Sequence, residues 1–223
     1  MREAVIVSTA RTPLTKSHRG EFNATPGPQL AAFSVKAAVE RSGIDPELIE
    51  DLVMGCGYPE GITGKNIGRQ TALRAGLPLS VAGMVASRFC ASGLQSVAIA
   101  AGRIVAEGVP AMVAGGVESI SAIRAGNPAD IDPWLQEHKP DLYMAMIDTA
   151  DIVAHRYGIS REDQDLFSLQ SQQRTAAAQQ GGMFADEIVP CTTRMMEKNK
   201  ETGEVTYREV TATHDNCNRA STT

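Results

Sequence analysis

Short apolar runs alternate with helical segments through the first 120 residues, and this alternation limits the possible folds more than any other feature. Runs typical of strands are residues 4–8, 51–55, 81–86 and 109–116. Segments with a helical pattern lie between them, at residues 29–42, 66–75 and 92–107. This order predicts an α/β fold with a mixed, mostly parallel sheet and helices on both faces. In such sheets, ligands bind beyond the carboxyl ends of the strands.

The sequence becomes more polar after about residue 121. Residues 125–140 are rich in proline and predict a loop, residues 142–157 predict a helix, and residues 187–190 and 204–210 predict two strands around a turn. Ser160 and Asp163 resemble a capping box that begins a polar helix extending to about residue 180. We therefore expect residues 1–120 to form the first part of the α/β domain and residues 121–212 to form an inserted loop lobe.

Charge and apolar patterning narrow the functional classes. The formal net charge is -5, with acidic and basic residues interspersed, which disfavours a nucleic-acid surface. We find no secretory signal and no run close to the ~20 apolar residues that span a bilayer. The four cysteines form no C-x-x-C pair and no Cys/His cluster with zinc spacing, so no metal site is expected. We expect a soluble, cytoplasmic protein with no membrane span and no nucleic-acid partner.

Cys90 lies between a predicted strand and a predicted helix. A thiol at a helix N-terminus is a candidate nucleophile, because the unpaired N–H groups and the helix dipole favour negative charge there. Arg88 adds a cation two residues away. Position alone leaves a second interpretation open, since free cysteines often act as small core hydrophobes. For Cys56, Cys191 and Cys217 we expect only a core or surface role.

Several segments taken in order resemble the N-terminal half of a thiolase, an acetyl-CoA acyltransferase. The matching segments are residues 5–13, 88–95 (Arg-Phe-Cys-Ala-Ser-Gly-Leu-Gln), 115–119 (Gly-Gly-Val-Glu-Ser), 146–151, 159–165 and 182–190. Each segment alone is a weak signal, but the ordered set covers almost the whole chain. The resemblance implies a thiolase-like N-terminal α/β domain, with residues 213–223 as the truncated start of a continuation into an absent C-terminal domain.

The resemblance also implies roles for three residues. Cys90 would take an acyl group from a 3-ketoacyl-CoA, release acetyl-CoA and pass the acyl group to a second CoA, and its backbone N–H would stabilise the oxyanion. Met146 would pack on the pantetheine arm of CoA, and Arg219 would contact the nucleotide end. Coenzyme A is then a substrate, and no bound cofactor is expected. Without the resemblance, Met146 is more typical of a core residue and Arg219 of a solvated one.

The proton-transfer groups of a thiolase are missing from these 223 residues. The family's Gly-His-Pro and Cys-x-Gly-Gly motifs, which belong to its C-terminal half, do not occur here. The histidines are His18, His138, His155 and His214, and none lies in a motif that would direct it at Cys90. We therefore expect a truncated gene product or fragment that is inactive or incomplete alone. The alternative is a non-catalytic thiolase-fold remnant or interaction module; a ketoacyl synthase is disfavoured by the segments around Met146 and Ser160.

The thiolase type and the assembly state are open at this point. Biosynthetic acetoacetyl-CoA thiolases usually carry a histidine directly before the methionine on pantetheine, where this chain has Ala145. This difference favours the degradative 3-ketoacyl type and keeps the biosynthetic type as an alternative. The family forms dimers or tetramers through this half, so a homo-oligomer is expected.

Overall fold

The computed structural model describes residues 2–122 and 131–222 and divides the chain into two compact units. The first unit comprises Met1–Ile123 with Phe184–Cys217, and the second comprises Arg124–Met183 with Asn218–Thr223. Part of the loop predicted over residues 125–140 falls outside the described residues. The domain boundaries predicted after residues 120 and 212 stay predictions.

A three-stranded parallel sheet forms the centre of the first unit. Its strands are β1 (Ile49–Gly55), β2 (Ala82–Ala86) and β3 (Ala111–Gly116), in the order β2-β1-β3. In β1, Leu52 pairs with Gly83 of β2 and with Val113 of β3. The side chains of β1 are almost completely buried, as expected for a strand covered on both faces. The sheet confirms the predicted α/β class.

Three helices belong to this sheet, and local signals set their ends. They are α1 (Gly27–Ser42), α2 (Ile67–Arg74) and α3 (Ser92–Glu107). Helix α1 is capped at its C-terminus by Gly43, which has φ 65° and adopts the left-handed conformation that glycine tolerates. Helix α2 is capped at its N-terminus by Asn66, whose side chain accepts a hydrogen bond from the Arg69 N–H.

The helices lie on both faces of the sheet, as predicted. A Cβ atom on Gly83 would clash with the Arg69 backbone of α2, and one on Gly55 would clash with the Ser92 backbone of α3. Gly83 pairs with Leu52, and alternate residues of a strand point to opposite faces, so Gly83 and Gly55 face opposite sides. Helix α2 therefore covers the face of Leu52, and α3 covers the face of Gly55.

A β-hairpin completes the first unit. Its antiparallel strands are β4 (Cys191–Lys198) and β5 (Val205–Ala212), joined by the predicted turn. Asn199 closes this turn, because its side-chain oxygen accepts hydrogen bonds from the N–H groups of Glu201 and Thr202. Cys191 and Ala212, a directly paired couple at the base of the hairpin, are buried in the same core cluster as Leu52.

Two predicted strands are wrong. Residues 4–8 form no strand, and Val5, Ile6 and Val7 are 70%, 76% and 69% exposed. Residues 187–190 form no strand either, since Pro190 cannot donate a ladder hydrogen bond and the strand begins after it. Ile188 makes an isolated parallel bridge with Arg11, which lies three residues after the first segment. Apolar, β-branched residues favour a strand only where a partner strand is available.

The second unit is helical in its described residues. It contains α4 (Pro133–His138), α5 (Met146–Tyr157) and α6 (Arg161–Gln180), with a 3-10 turn at Pro140–Tyr143. The predicted helix over residues 142–157 thus begins later, at Met146. The capping box of α6 is present as predicted: the Ser160 hydroxyl accepts from the Asp163 N–H, and the Asp163 carboxylate accepts from the Ser160 N–H.

One segment within the described ranges, Phe89–Glu107, is long and apolar enough, by length and composition alone, to cross a membrane. The prediction that no apolar run comes close to this length is therefore wrong. The contacts of this segment are those of a helix on a sheet. The Ser96 hydroxyl donates to the Gly115 carbonyl at 2.7 Å, and Arg103 forms a 2.9 Å ion pair with Asp51 of β1.

Candidate active site

Cys90 lies in a 3-10 turn, Phe89–Ala91, between β2 and α3. Strand β2 ends at Ala86 and α3 begins at Ser92, so the predicted strand-to-helix position of the thiol is confirmed. The side chain is exposed, which excludes the alternative that Cys90 is a core residue in this chain. The carboxyl end of a parallel strand and the N-terminus of a 16-residue helix thus meet at an accessible thiol.

Short hydrogen bonds define the backbone of this turn. The Ser92 hydroxyl accepts from the Arg88 N–H at 2.8 Å and donates to the Phe89 carbonyl at 2.6 Å. The first backbone hydrogen bond of the turn joins the Ala91 N–H to the Arg88 carbonyl at 3.0 Å. The Cys90 N–H precedes that bond, as the first N–H groups of a helical segment do. A backbone N–H at the start of a helical segment is the kind of donor that can stabilise a negatively charged oxygen.

Phe89 adopts an unusual backbone conformation directly before the thiol. Its φ is 45°, in the left-handed region that aromatic residues rarely occupy. Such a conformation costs on the order of 1–3 kcal/mol and persists only where the surrounding structure holds it. The aromatic ring of Phe89 contacts Tyr58 edge-on, with ring centroids 6.1 Å apart and an interplanar angle of 66°. Sequence reasoning did not identify this strained residue.

Glu118, the second residue after β3, binds the loop that follows β1. Its Oε2 accepts hydrogen bonds from the Gly57 N–H at 2.8 Å and from the Tyr58 N–H at 3.2 Å. In these contacts Glu118 is a carboxylate that accepts hydrogen bonds from the backbone. They place residues from the ends of β1 and β3 at the same edge of the sheet as the Cys90 turn.

The other thiols differ from Cys90 in environment. Burial raises the pKa of Cys191 to about 11. Burial also raises the pKa of Cys56, and the nearby negative charge of Glu118 adds to the effect. Cys217 is exposed, and its sulfur lies 3.6 Å from the Leu14 carbonyl oxygen. Within residues 2–122 and 131–222, no group of three or more His, Cys, Asp or Glu side chains could hold a metal ion.

Met146 and Arg219 both belong to the second unit. Met146 is the first residue of α5 and is 71% exposed. It lines a mainly apolar cavity of about 380 Å³, together with Thr149, Ala150, Val153, Ala154, Ile159 and Gln164. Arg219 is not among these lining residues; its backbone N–H donates to the Gln172 side chain of α6 at 2.7 Å.

Comparisons with known proteins identify the family. A model of the thiolase N-terminal domain matches residues 4–223. The chain belongs to the thiolase family. The 3-ketoacyl-CoA thiolase of Bacillus subtilis is 42% identical over 198 residues, which cover 88% of this chain and 51% of that protein. The acetyl-CoA acetyltransferase of Cupriavidus necator is 40% identical over 203 residues, which cover 85% of this chain and 51% of the relative.

A third thiolase relative carries a different substrate name. The beta-ketoadipyl-CoA thiolase of Pseudomonas aeruginosa is 37% identical over 213 residues, covering 86% of this chain and 52% of the relative. The chain spans about half the length of the curated thiolases that it matches. The family and its fold are therefore confirmed, while the roles assigned to Cys90, Met146 and Arg219 stay predictions.

The histidines of this thiolase chain make local contacts where contacts are described. In the first unit, the His18 N–H donates to the Ser121 hydroxyl, and the His214 ring lies 3.3 Å from the Thr213 hydroxyl. In the second unit, the His138 ring stacks on Trp134 with centroids 4.5 Å apart. In the described part of the first unit, no histidine is hydrogen-bonded to Cys90.

Proposed function

We propose that this chain supplies the nucleophile of a thiolase-type acyl transfer. The exposed thiol of Cys90 at the start of α3, in a chain of the thiolase family, is the observation that carries the proposal. The Cys90 sulfur attacks the ketone carbon of a 3-ketoacyl-CoA, and the bond between that carbon and the α-carbon breaks. Acetyl-CoA leaves after its α-carbon takes a proton. A second CoA thiol then attacks the acyl-cysteine and releases a shortened acyl-CoA.

The backbone of the Cys90 turn is suited to this chemistry. Negative charge develops on the carbonyl oxygen during both displacements, and a fixed N–H donor near that oxygen stabilises it. The Cys90 N–H precedes the first hydrogen bond of the turn and is our candidate for that donor. The proton-transfer groups are expected from the Gly-His-Pro and Cys-x-Gly-Gly segments of a thiolase C-terminal half. General acid–base catalysis of this kind contributes about 10²–10⁴ in rate.

The second unit is proposed to bind CoA. The apolar cavity beside Met146 suits the methyl and methylene groups of the pantetheine arm, and the charge of Arg219 suits the phosphates of the nucleotide end. We propose a soluble, cytoplasmic enzyme that forms homo-oligomers, with acyl-CoA and CoA as its small-molecule partners. Ala145 supports the degradative 3-ketoacyl type. The relatives include proteins named for both types, so the biosynthetic reaction is the alternative.

Mass spectrometry after incubation with acetoacetyl-CoA tests the proposal. We expect an acetyl adduct on the peptide that contains Cys90, and none on that peptide in a Cys90→Ala variant. Cys217→Ala is a matched control, because it removes the other exposed thiol and should leave the adduct unchanged. Adduct on Cys217 in equal yield would contradict a specific nucleophile. No adduct on Cys90, beside a reactive full-length thiolase, would contradict the proposal for this chain.

Adding a separately expressed thiolase C-terminal half tests the rest of the reaction. We expect thiolysis of acetoacetyl-CoA to appear with both parts and to disappear with Cys90→Ala. Equal thiolysis by the 223-residue chain alone would contradict the requirement for the second half.

A non-catalytic interaction module is the second candidate, and the surface of α3 favours it. Leu94 is 76% exposed and Val97 is 37% exposed on this apolar helix. Exposed apolar surface of this kind often marks a protein interface. Light scattering discriminates between the candidates when it is combined with the acylation test. Oligomers without any Cys90 adduct would favour the interaction module.

A further inference from the structure

Residues that follow the three strands of the parallel sheet are connected around the Cys90 turn. Glu118 follows β3 and binds the Gly57 and Tyr58 N–H groups, which follow β1, through a single carboxylate oxygen. The Val117 N–H donates to the Gly55 carbonyl at 2.9 Å, so the backbone also joins these two strand ends. Glu118 thereby holds the loop after β1 at two points, and Val117 holds the end of β1 itself at a third.

The same loop contacts the turn that carries the thiol. The Gly57 carbonyl accepts a hydrogen bond from the Ser87 hydroxyl at 3.4 Å, and Ser87 follows β2. A Cβ atom on Gly57 would lie 3.5 Å from the Phe89 carbonyl oxygen, which shows how close the two backbones are. The Tyr58 ring packs edge-on against Phe89. Phe89, whose φ is 45°, is therefore in contact with a loop that Glu118 holds.

We propose that Glu118 is a positioning residue for Cys90. It fixes Gly57 and Tyr58, these residues support Phe89 in its left-handed conformation, and Phe89 orients the Cys90 thiol and N–H. The inference rests on the proposed function of Cys90 as an acyl-accepting nucleophile. Glu118 acts through other residues, because its described contacts are with Cys56, Gly57 and Tyr58. Its substitution should change the geometry of the turn while the cysteine itself stays in place.

Two substitutions at position 118 separate the hydrogen bonds from the charge. Glu118→Ala removes both acceptors. Glu118→Gln removes the charge but can place its amide oxygen where Oε2 now accepts from both N–H groups. Glu60→Ala is a matched control in the same loop, since the Glu60 carboxylate makes no hydrogen bond within the described residues. Tyr58→Leu tests the ring contact without changing Glu118, and it keeps the proposal testable if Glu118→Ala fails to fold.

Three measurements on the full 223-residue chain test the proposal. Hydrogen exchange at Ala91 and Ser92 reports the turn, because these amides donate to Arg88 and Phe89. The second measurement is the rate of Cys90 acylation by acetoacetyl-CoA divided by the rate of its alkylation by iodoacetamide. Differences in the accessibility of the thiol between variants cancel in this ratio. Alkylation of Cys191, which is completely buried, reports global unfolding.

In Glu118→Ala, we expect exchange at Ala91 and Ser92 to accelerate about tenfold, the effect of losing hydrogen bonds to a charged acceptor. The acylation-to-alkylation ratio should fall by a similar factor while Cys191 stays protected. Glu118→Gln and Glu60→Ala should match the parent chain, and Tyr58→Leu should accelerate exchange in the same direction. Unchanged exchange in Glu118→Ala, equal effects of Gln and Ala, or parallel exposure of Cys191 would each overturn the proposal.

The exchange measurement keeps this inference separate from the proposed function. If no variant and not even the parent chain acylates Cys90, the proposed function fails. Exchange at Ala91 and Ser92 then still decides whether Glu118 holds the turn, with rescue by Glu118→Gln as the supporting result.

Discussion

Two apolar runs in the first unit have similar composition and opposite structures. Residues 5–7 (Val-Ile-Val) form no strand and are 69–76% exposed, whereas residues 52–54 (Leu-Val-Met) lie in β1 and are 0–1% exposed. The first run has the higher β-propensity, since two valines and an isoleucine are all β-branched. The difference lies in their neighbours. Strand β1 is paired with β2 on one side and β3 on the other.

The comparison shows that a strand depends on its partners, which the local sequence does not reveal. Near the first run, side-chain contacts hold the chain in place where no strand ladder does so. Arg11 forms ion pairs with Glu187 and Asp215, each at 2.7 Å, and its guanidinium lies 5.4 Å from the centroid of the Phe184 ring. We therefore expect the loss of apolar contacts to lower the stability more at residues 52–54. Near residues 5–7, the loss of charge should matter more.

Truncation of one apolar side chain in each run should give the largest contrast. Leu52→Ala removes a fully buried side chain of the central strand and should lower the free energy of unfolding by about 2–5 kcal/mol. Ile6→Ala removes a side chain that is 76% exposed and should change it by less than about 0.5 kcal/mol. Urea denaturation followed by circular dichroism measures both. Equal losses would show that residues 5–7 are buried in solution.

Removal of the Asp215 charge should have the next largest effect. Asp215→Asn breaks the bidentate pair with Arg11, in which the side chains are 11% and 30% exposed, and should cost about 1–3 kcal/mol at neutral pH. Glu197→Gln is the matched control, because its pair with Arg208 is about half exposed and should contribute about 0–1 kcal/mol. Hydrogen exchange should increase at Arg11 and Val189 in Asp215→Asn, but not in β2.

The pH dependence gives an independent test of the same pair. The hydrogen bond from Arg11 holds the pKa of Asp215 below its usual value. A carboxyl whose pKa is lowered by folding contributes stability above its unfolded pKa of about 3.9, and this contribution disappears as the pH falls through the folded pKa. The difference in unfolding free energy between the parent chain and Asp215→Asn should therefore shrink below about pH 4. A difference that grows in acid would contradict this assignment.

In the candidate site, too, the features set by neighbouring residues could be predicted from the sequence, and those that depend on distant residues could not. The position of Cys90 between a strand and a helix could be predicted, because the apolar run and the helical pattern lie directly beside it. The left-handed conformation of Phe89 could not be predicted from the sequence. Nor could the hydrogen bonds from the loop after β1 to Glu118. Glu118 is 61 residues from Gly57 in sequence, and the two meet only because β1 and β3 are adjacent in the sheet. Strand order was not predictable from the separate runs.

The capping box of α6 joins residues that are close in sequence. Its removal should give the smallest loss of stability among these substitutions. Ser160 and Asp163 are three residues apart and exchange hydrogen bonds, so the sequence alone was enough to predict their contact. Ser160→Ala removes the acceptor of the Asp163 N–H and should lower the unfolding free energy of the second unit by about 1 kcal/mol.

Ser168→Ala is the matched control within the same helix. The Ser168 hydroxyl donates to the Gln164 carbonyl four residues earlier, a contact that slightly destabilises helices, so its loss should change stability by less than about 0.5 kcal/mol. Fluorescence of Trp134, the only tryptophan and a residue of the second unit, measures both variants during urea unfolding. Equal effects of the two substitutions would mean that the cap contributes no more than an ordinary helix serine. A loss of stability in Ser160→Ala alone would show that the capping box stabilises this unit. Such a contact lies within four consecutive residues and needs no partner strand, which is why the sequence alone predicts it.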